Sequence, residues 1–291
     1  MQQFRGTGVA LVTPFHDDLS VDFDGLTAVV EHCIAGGVDY FVMLGTTAES
    51  ATLSKEEKAQ VVSHIKTVVQ SRKPLVLGLG GNNTASIVEA LKELDTSGID
   101  AILSVSPYYN RPAQEGIYAH FAAIATASPL PVIMYNVPSR TGSNMEVATS
   151  LRLARDFENI IGIKEAAGNI IQALHLLKDR PSGFLVISGD DMLALPMVSA
   201  GGDGVISVIG QGVVIPFCDM MRFGLEGAFA KAYPLHFEIM PIIDLIFEEG
   251  NPAGIKAVLA SKGLMKDTVR LPLVKTTAKL RKKIDAYLAA N

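Results

Sequence analysis

Residues 160–166, which read IIGIKEA, have the composition of a buried β-strand that ends in a lysine. The four residues before Lys164 are apolar or small, without polar residues between them, and this is typical of a strand covered on both faces. With a side-chain period of two, Ile160, Gly162 and Lys164 are expected on one face, where Gly162 leaves space beside the lysine. An ammonium group at the end of such a strand needs an explanation.

Runs of the same kind recur along the chain. Seven more strands are predicted, at residues 8–15, 40–45, 75–80, 101–106, 132–136, 184–188 and 204–209. Segments with helical spacing lie between them, at residues 24–35, 54–70, 84–96, 114–126, 145–157 and 170–178. Lys164 is the only lysine in any predicted strand. Continuous apolar strands alternating with helices indicate a parallel sheet, and eight such units favour a closed (β/α)8 TIM barrel over an open doubly wound sheet.

Cap residues mark several helix ends. Ser54 followed by Glu57 predicts a capping box, and Asn144 is the expected cap of the helix at residues 145–157. Strand signals stop near residue 230, and helices are predicted beyond it at residues 233–248, 252–262 and 273–290. We therefore expect a catalytic barrel over residues 1–230 and a C-terminal helical extension over residues 231–291.

Composition and charge exclude several classes of protein. The 291 residues are 48% hydrophobic, enough for one large core, and the net charge of −5 offers no basic surface for nucleic acid. Residues 121–139 are uncharged, but three prolines interrupt them, so no membrane helix is expected, and no secretory signal precedes Pro14. Cys33 and Cys218 are expected to be buried thiols. These features predict a soluble, cytoplasmic protein.

No metal site is expected from the sequence. Asp190 and Asp191 are adjacent, yet the six histidines are scattered along the chain without the spacing of metal ligands. The chemistry is therefore expected to come from the other reactive side chains.

Two interpretations of Lys164 follow from its position. Its ammonium group can reach water at the strand end, or it can pair with Glu165. Alternatively, burial lowers its pKa from about 10.4, because desolvation disfavours the charged form. A neutral amine attacks ketones and forms Schiff bases, and the carboxyl ends of barrel strands form the catalytic face. Position alone leaves both interpretations open.

Other predicted strands also end in reactive side chains. The second, fourth and fifth run into GTTAES, SPYYNRP and MYNVPSRTG, which present Thr46, Thr47, Tyr108, Tyr109, Tyr135 and Arg140. Each pair alone has an ordinary explanation, since threonines after a glycine commonly form a turn and adjacent tyrosines are commonly packing residues. In a barrel all of them converge on one mouth, where hydroxyl groups, an arginine and a lysine suit carbonyl chemistry through an imine.

These motifs, together with GIKEAAG, SGDD and GVISV, resemble in order and spacing the 4-hydroxy-tetrahydrodipicolinate synthase family, also called dihydrodipicolinate synthases. The resemblance extends from GTGVALVTPF to the C-terminal helices. It implies a lysine Schiff-base enzyme that condenses pyruvate with L-aspartate 4-semialdehyde to give 4-hydroxy-tetrahydrodipicolinate, in the diaminopimelate route to lysine. It also implies that neither a metal nor an organic cofactor is needed, and that the chain forms a homotetramer.

The resemblance assigns catalytic roles to four residues. Lys164 matches the nucleophile that attacks the keto carbon of pyruvate, and Tyr135 matches the proton donor and acceptor beside it. Thr46 and Tyr109 match the other members of a proton relay. In the family, the residue matched by Tyr109 reaches across a subunit interface into the neighbouring site, so catalysis would require at least a dimer.

Three further residues match positions that bind substrate carboxylates. Thr47 and the backbone around Ile206 match the site of the pyruvate carboxylate, and a threonine hydroxyl with adjacent main-chain N–H groups suits that role. Arg140 matches the arginine that receives the carboxylate of the semialdehyde, for which its planar fork allows a bidentate contact. One departure lies nearby, since Ala48 stands where the family commonly has glycine. Alanine adds strain there only if the position has a positive φ.

A second departure concerns the region that resembles the family's lysine feedback site. Asn82 and Tyr108 match it, but Lys55 and Lys58 stand where inhibited members typically carry histidines, and Ser86 stands where they carry an acid. Two added positive charges and a missing carboxylate should repel the ammonium groups of lysine. We therefore expect L-lysine to inhibit weakly or not at all.

Two alternative functions stay open at this level. Another lysine-imine aldolase of the superfamily, such as N-acetylneuraminate lyase or a 2-keto-3-deoxy sugar acid aldolase, would share Lys164, Tyr135 and the threonine pair. Arg140 and the YYN turn favour the synthase, because they match its second-substrate and relay positions. The other alternative is an inactive barrel that binds a small acid, against which the complete set of reactive side chains argues.

Overall fold

The computed structural model describes residues 1–290 and contains a closed barrel of eight parallel strands. The strands follow one another in chain order, and the last pairs with the first. The predicted (β/α)8 TIM barrel is therefore confirmed. The strands are β1 (Gly6–Ala10), β2 (Tyr40–Met43), β3 (Leu75–Gly78), β4 (Ala101–Val105), β5 (Val132–Asn136), β6 (Ile160–Glu165), β7 (Leu185–Ser188) and β8 (Gly204–Ser207).

Helices surround the barrel and continue beyond its last strand. In chain order they are α1 (Phe23–Ala35), α2 (Lys55–Val69), α3 (Thr84–Lys92), α4 (Gln114–Ala127), α5 (Pro138–Thr141), α6 (Val147–Asp156), α7 (Ile170–Asp179), α8 (Ala194–Ser199), α9 (Val214–Leu225), α10 (Phe229–Glu248), α11 (Ala253–Ser261) and α12 (Ala278–Ala290). The short α5 and α8, and α9, were not predicted. No helix within residues 1–290 is both long and apolar enough to cross a membrane.

Local capping explains two of the helix starts. The capping box at Ser54 and Glu57 is present, with Glu57 N donating to Ser54 Oγ at 3.1 Å and Ser54 N donating to Glu57 at 2.9 Å. The prediction that Asn144 caps the helix after β5 is wrong, since that helix is capped at Glu146. Asn144 instead donates from Nδ2 to Gln172 Oε1 at 2.8 Å. Its amide is used to hold a loop against α7.

The strands bury both faces, so the molecule has two apolar cores. One fills the barrel interior and includes Tyr40, Leu103 and Ile187. The larger one lies between the strands and the helices and includes both cysteines, which are buried free thiols. Covering both faces removes the in-out alternation that exposed sheets show, and this is why the strands read as continuous apolar runs.

Strand β6 departs from regular pairing at its start. The first residue of β5 pairs with Ile160, but the second, Ile133, pairs with Gly162, so Ile161 is an extra residue. Ile160 consequently packs between strand and helices, and Ile161 points into the barrel. An inserted residue shifts the alternation by one position. The prediction that Ile160 shares a face with Lys164 is therefore wrong.

The chain after β8 packs against itself and against the barrel. Helix α10 packs on α9, α11 and α12. It begins at Phe229, close to the expected start of the helical extension. Three side chains of this region, Asn251, Lys256 and Arg270, reach back to the loop that follows β2. The extension therefore contacts the end of the barrel where the candidate site lies.

Candidate active site

Lys164 and Tyr135 lie side by side at the carboxyl end of the barrel. They are register partners on β6 and β5, and neighbouring strands lie about 4.8 Å apart. The Nζ atom of Lys164 is 4.4 Å from the centre of the Tyr135 ring. Because parallel strands all end at the same rim, the loop after β2 reaches the same place. The rim thus collects the residues that the sequence pointed to.

Burial affects the protonation state of Lys164. Lys164 is 6% exposed, and desolvation lowers the pKa of its ammonium group to about 8. The negative charge of Asp191 opposes this change, whereas the positive charge of Arg140 adds to it. A substantial neutral fraction is therefore present near neutral pH, which a nucleophilic amine requires.

The structure rejects both ordinary explanations for this lysine. Its side chain is too buried for the amine to sit in bulk water. Glu165 is not its partner, because the Glu165 carboxylate accepts from Asn136 Nδ2 at 3.1 Å and from Gln172 Nε2 at 3.0 Å. The Ala167 N–H donates to the same carboxylate at 2.7 Å. Lys164 and Glu165 are neighbours on a strand, so their side chains point to opposite faces.

Tyr135 presents a buried phenol beside the lysine. It is 8% exposed, and the side chain of Thr46 lies beside its hydroxyl group. Burial raises the pKa of the phenol, and this effect outweighs Arg140 and Thr46, which act in the opposite direction. Tyr135 is therefore protonated at neutral pH and is available as an acid. Thr46 is exposed at the rim, where its hydroxyl connects the phenol to the open mouth.

Thr46 and Thr47 lie in a 3-10 turn over Thr46–Ala48, called here the threonine turn. Thr47 is buried, and its Oγ1 accepts a hydrogen bond from Asn251 Nδ2 at 3.0 Å. Ala48 does not have a positive φ. The residue of this loop with a positive φ is the next one, Glu49, at 53°. Alanine in place of glycine is therefore unstrained here. Thr13 donates to the carbonyl of Ala48 at 2.7 Å and helps to hold the turn.

The glycine that makes room for the lysine is Gly189, in the SGDD motif. A Cβ atom on Gly189 would lie 2.9 Å from Lys164 Cε and 3.0 Å from Lys164 Cγ. A Cβ atom on Gly162 would instead meet Leu185 Cβ at 2.7 Å. The expectation that Gly162 leaves space beside the lysine is therefore wrong. Gly162 allows β7 to approach β6, and Gly189 on the next strand end clears the lysine side chain.

Asp191 closes the far wall of the site. It is 2% exposed, and its carboxylate accepts from Val208 N at 3.2 Å and from Ile209 N at 2.9 Å. Burial raises the pKa of this carboxyl to about 6. These bonds fix the chain immediately after β8, where Ile206 is completely buried. They also occupy main-chain N–H groups that would otherwise be free to bind a substrate carboxylate.

Arg140 and Tyr109 lie outside the buried part of the site. Arg140 is exposed on α5, and Thr141 anchors this short helix by donating to the carbonyl of Ser143 at 2.7 Å. Tyr109 is 89% exposed and has a φ of 71°, an unusual conformation for a bulky residue. Within one chain its ring lies in solvent, away from the buried Lys164. The structure thus brings together Lys164, Tyr135, Thr46, Thr47 and Ile206, but not Tyr109.

Three features of the site were not recognised from the sequence. Gly189 and Asp191 were part of a quoted motif without an assigned role, and Lys256 was not considered. The signal for Lys256 was available, because it interrupts the apolar helical stretch AGIKAVLA. Within residues 1–290, His, Cys, Asp and Glu side chains form no group of three or more that could hold a metal ion.

Known proteins support one family over the other aldolases. The model of the dihydrodipicolinate synthetase family matches residues 3–291. A protein of Flavobacterium psychrophilum named 4-hydroxy-tetrahydrodipicolinate synthase is 58% identical over 287 residues, covering 99% of this chain and 98% of that protein. A relative of Parabacteroides distasonis with the same name is 49% identical over 284 residues, covering 98% of this chain and 96% of its own length.

A solved structure gives the same result. A chloride-inhibited dihydrodipicolinate synthase of Acinetobacter baumannii, complexed with pyruvate, is 37% identical, with a TM-score of 0.94 over 98% of each chain. The match covers the barrel and the C-terminal helices together. The chain belongs to the dihydrodipicolinate synthetase family.

Proposed function

We propose that this protein condenses pyruvate with L-aspartate 4-semialdehyde to give 4-hydroxy-tetrahydrodipicolinate, through an imine on Lys164. The observation that carries the proposal is a buried amine, with its pKa lowered to about 8, packed against the ring of Tyr135, with the Thr46 side chain beside the phenol. The names of the relatives indicate which carbonyl compounds this amine meets.

The first half of the reaction uses the neutral amine. Lys164 attacks the keto carbon of pyruvate, and the adduct loses water to give a protonated imine. The imine withdraws electrons, so a proton leaves the methyl group and an enamine forms. Its carbon adds to the aldehyde carbon of the second substrate. The amine of that substrate then displaces Lys164, closes the ring and returns the lysine to its initial state.

Each of these steps moves a proton, and Tyr135 is placed to move it. The phenol is protonated at rest, so it can give a proton to the hydroxyl group that leaves as water. Thr46, whose side chain lies beside the phenol, is exposed at the open rim. The two hydroxyls together provide a path for protons that does not require bulk water inside the pocket.

The threonine turn provides donors for the pyruvate carboxylate. Because Asn251 donates to Thr47 Oγ1, the hydroxyl hydrogen of Thr47 is free to point to a substrate oxygen. The main-chain N–H groups of Thr46 and Thr47 open the turn and make no hydrogen bond in the part of the chain that the structure describes. Three donors therefore face one place, which suits an anion. Arg140, exposed at the entrance, is proposed to receive the carboxylate of the semialdehyde.

We also propose that the protein works as an oligomer, at least a dimer and in full form a homotetramer. Tyr109 is held in a strained conformation with its ring in solvent, as expected of a residue that completes a neighbouring subunit's site. Complementation tests this directly. A mixture of Lys164→Ala and Tyr109→Phe chains should regain activity, because each mixed dimer contains one site with both residues intact. Activity equal to the average of the two variants would contradict the proposal.

The decisive experiment for the chemistry is borohydride reduction in the presence of pyruvate, followed by peptide mass spectrometry. The expected result is a stable adduct on the Lys164 peptide with the mass of pyruvic acid less one oxygen atom. Lys256 is an internal control, because its pKa is also lowered to about 8 but its side chain is completely enclosed. An unmodified Lys164 would refute the imine and favour an inactive barrel that binds acids.

A substrate comparison separates the synthase from the other aldolases. The protein should turn over pyruvate with L-aspartate 4-semialdehyde and should not cleave sialic acid or keto-deoxy sugar acids. Preference for either of the latter would move the assignment to N-acetylneuraminate lyase or a 2-keto-3-deoxy sugar acid aldolase.

A further inference from the structure

The threonine turn is held from outside the barrel by the C-terminal helices. Glu49 directly follows the turn, has a left-handed backbone and has a side chain with no exposed surface. Its carboxylate oxygen Oε1 is 2.5 Å from Lys256 Nζ on α11. Its other oxygen accepts a hydrogen bond from the main-chain N–H of Arg270 at 2.9 Å. Two separate parts of the C-terminal region therefore bind one carboxylate, through an ion pair and a hydrogen bond.

The Lys256 side chain is enclosed and its amine contacts several groups. Its side chain has no exposed surface, and Nζ donates to the carbonyl of Thr268 at 2.9 Å. The same nitrogen lies 4.2 Å from the centre of the Phe15 ring, and the Arg270 guanidinium lies 4.4 Å from that ring. Arg270 in turn pairs with Glu57 at 2.5 Å. The contacts run from the C-terminal helices through the residue after the threonine turn to the start of α2.

A buried ion pair of this kind is a poor source of stability. Removing two charges from water offsets much of their attraction, and apolar replacements of similar volume are often as stable. Such a pair can instead favour one arrangement, since a shift of either partner leaves a buried charge unpaired. Glu49 is two residues from Thr47, so any shift of its carboxylate is passed along a short, tightly bonded turn. A third contact, from Asn251 to Thr47, acts on the same turn.

We propose that Glu49 and Lys256 are positioning residues for catalysis, which hold the threonine turn at the distance from Tyr135 that proton transfer requires. This inference rests on the proposed function of the site. Neither residue touches substrate. Their effect is exerted through Thr46, which lies beside the Tyr135 hydroxyl group, and through Thr47, which is proposed to face the pyruvate carboxylate.

Two variants test the role: a single variant, which leaves Lys256 without its carboxylate partner, and a double variant, which leaves no unpaired ion. Glu49→Gln keeps the shape of the side chain and an acceptor for Arg270. The double variant Glu49→Gln with Lys256→Met removes both charges at similar volume. We expect both to fold and to trap pyruvate on Lys164, with kcat lowered about 10- to 100-fold, because small misplacements of catalytic groups have effects of that size. The KM for the semialdehyde should change much less, since Arg140 is not attached to this turn.

The matched control is Arg180→Met at the opposite end of the barrel. Arg180 pairs with Asp203, which immediately precedes β8. Removing the Arg180 guanidinium should lower the melting temperature, while kcat stays within about twofold of the original value, because the residue is far from the reacting groups.

Each other outcome overturns the proposal or the function beneath it. A folded Glu49 variant with unchanged kcat, or an equal loss of kcat in Arg180→Met, would show that the pair does not position the turn. Failure of both Glu49 variants to fold would make the pair a requirement of folding and not of catalysis. If the unaltered protein fails to trap pyruvate, the proposed function fails, independently of Glu49.

Discussion

Replacing Gly189 with alanine tests how the barrel places its lysine. The added methyl group would lie 2.9 Å from Lys164 Cε, 3.0 Å from Lys164 Cγ and 2.6 Å from Ala166 Cβ. Carbon atoms pack best at about 3.5–4.0 Å, so these atoms must separate by roughly 0.5–1 Å. The Gly189 N–H donates to the carbonyl of Glu165 at 2.8 Å, which holds the backbone in place. The lysine side chain can move away, but the contact with Ala166 Cβ is relieved only by a shift of the backbone next to Lys164.

The substitution is expected to affect both catalysis and folding, and the two effects are measured separately. A misplacement of about 1 Å at a reacting group lowers the rate by about 100-fold, or about 2.7 kcal/mol of activation free energy. Overpacking a filled site lowers the free energy of unfolding by about 1–3 kcal/mol. The assays are the rate of borohydride trapping with pyruvate and a denaturant titration on the same preparation.

Gly81→Ala provides the control for an added methyl group. Its Cβ would lie 3.7 Å from Ile87 Cδ1, an ordinary contact, so neither stability nor trapping should change much. Trapping by Gly189→Ala at the original rate would refute the reasoning, because it would show that the added methyl group does not displace Lys164. A loss of trapping explained wholly by unfolding would refute it as well.

Three further predictions concern protons and charge. Because burial lowers the pKa of Lys164 to about 8, kcat/KM for pyruvate should rise with pH, reach half its maximum near pH 8 and level off above it; a plateau already reached well below pH 7 would contradict this. Tyr135→Phe should lower kcat more than Tyr109→Phe, since only Tyr135 is buried against the amine; equal losses in steady-state assays would contradict this order. L-lysine should inhibit weakly or not at all, because Lys55 and Lys58 repel its ammonium groups; activity halved by submillimolar lysine would overturn that expectation.

Local sequence determines the elements of this protein and points to Lys164 as the candidate nucleophile. Apolar runs without alternation predict strands covered on both faces, and their alternation with helices predicts the barrel. A lysine at the end of such a strand has few explanations, and the surrounding hydroxyl residues narrow them. The inference of the fold succeeds because burial and chain direction determine the pattern of apolar residues within a few neighbouring positions.

Tertiary structure alone decided how the site is supported. Ile161 is an extra residue only in the pairing of β6 with β5, so counting alternate residues along β6 alone cannot reveal it. The space for Lys164 comes from Gly189, on the end of the next strand. Asn251 meets Thr47 across 204 positions of sequence, and Lys256 meets Glu49 across a comparable distance. Such contacts depend on closure of the barrel and on the return of the C-terminal helices, and pairings made only at that stage leave no local periodicity in the chain.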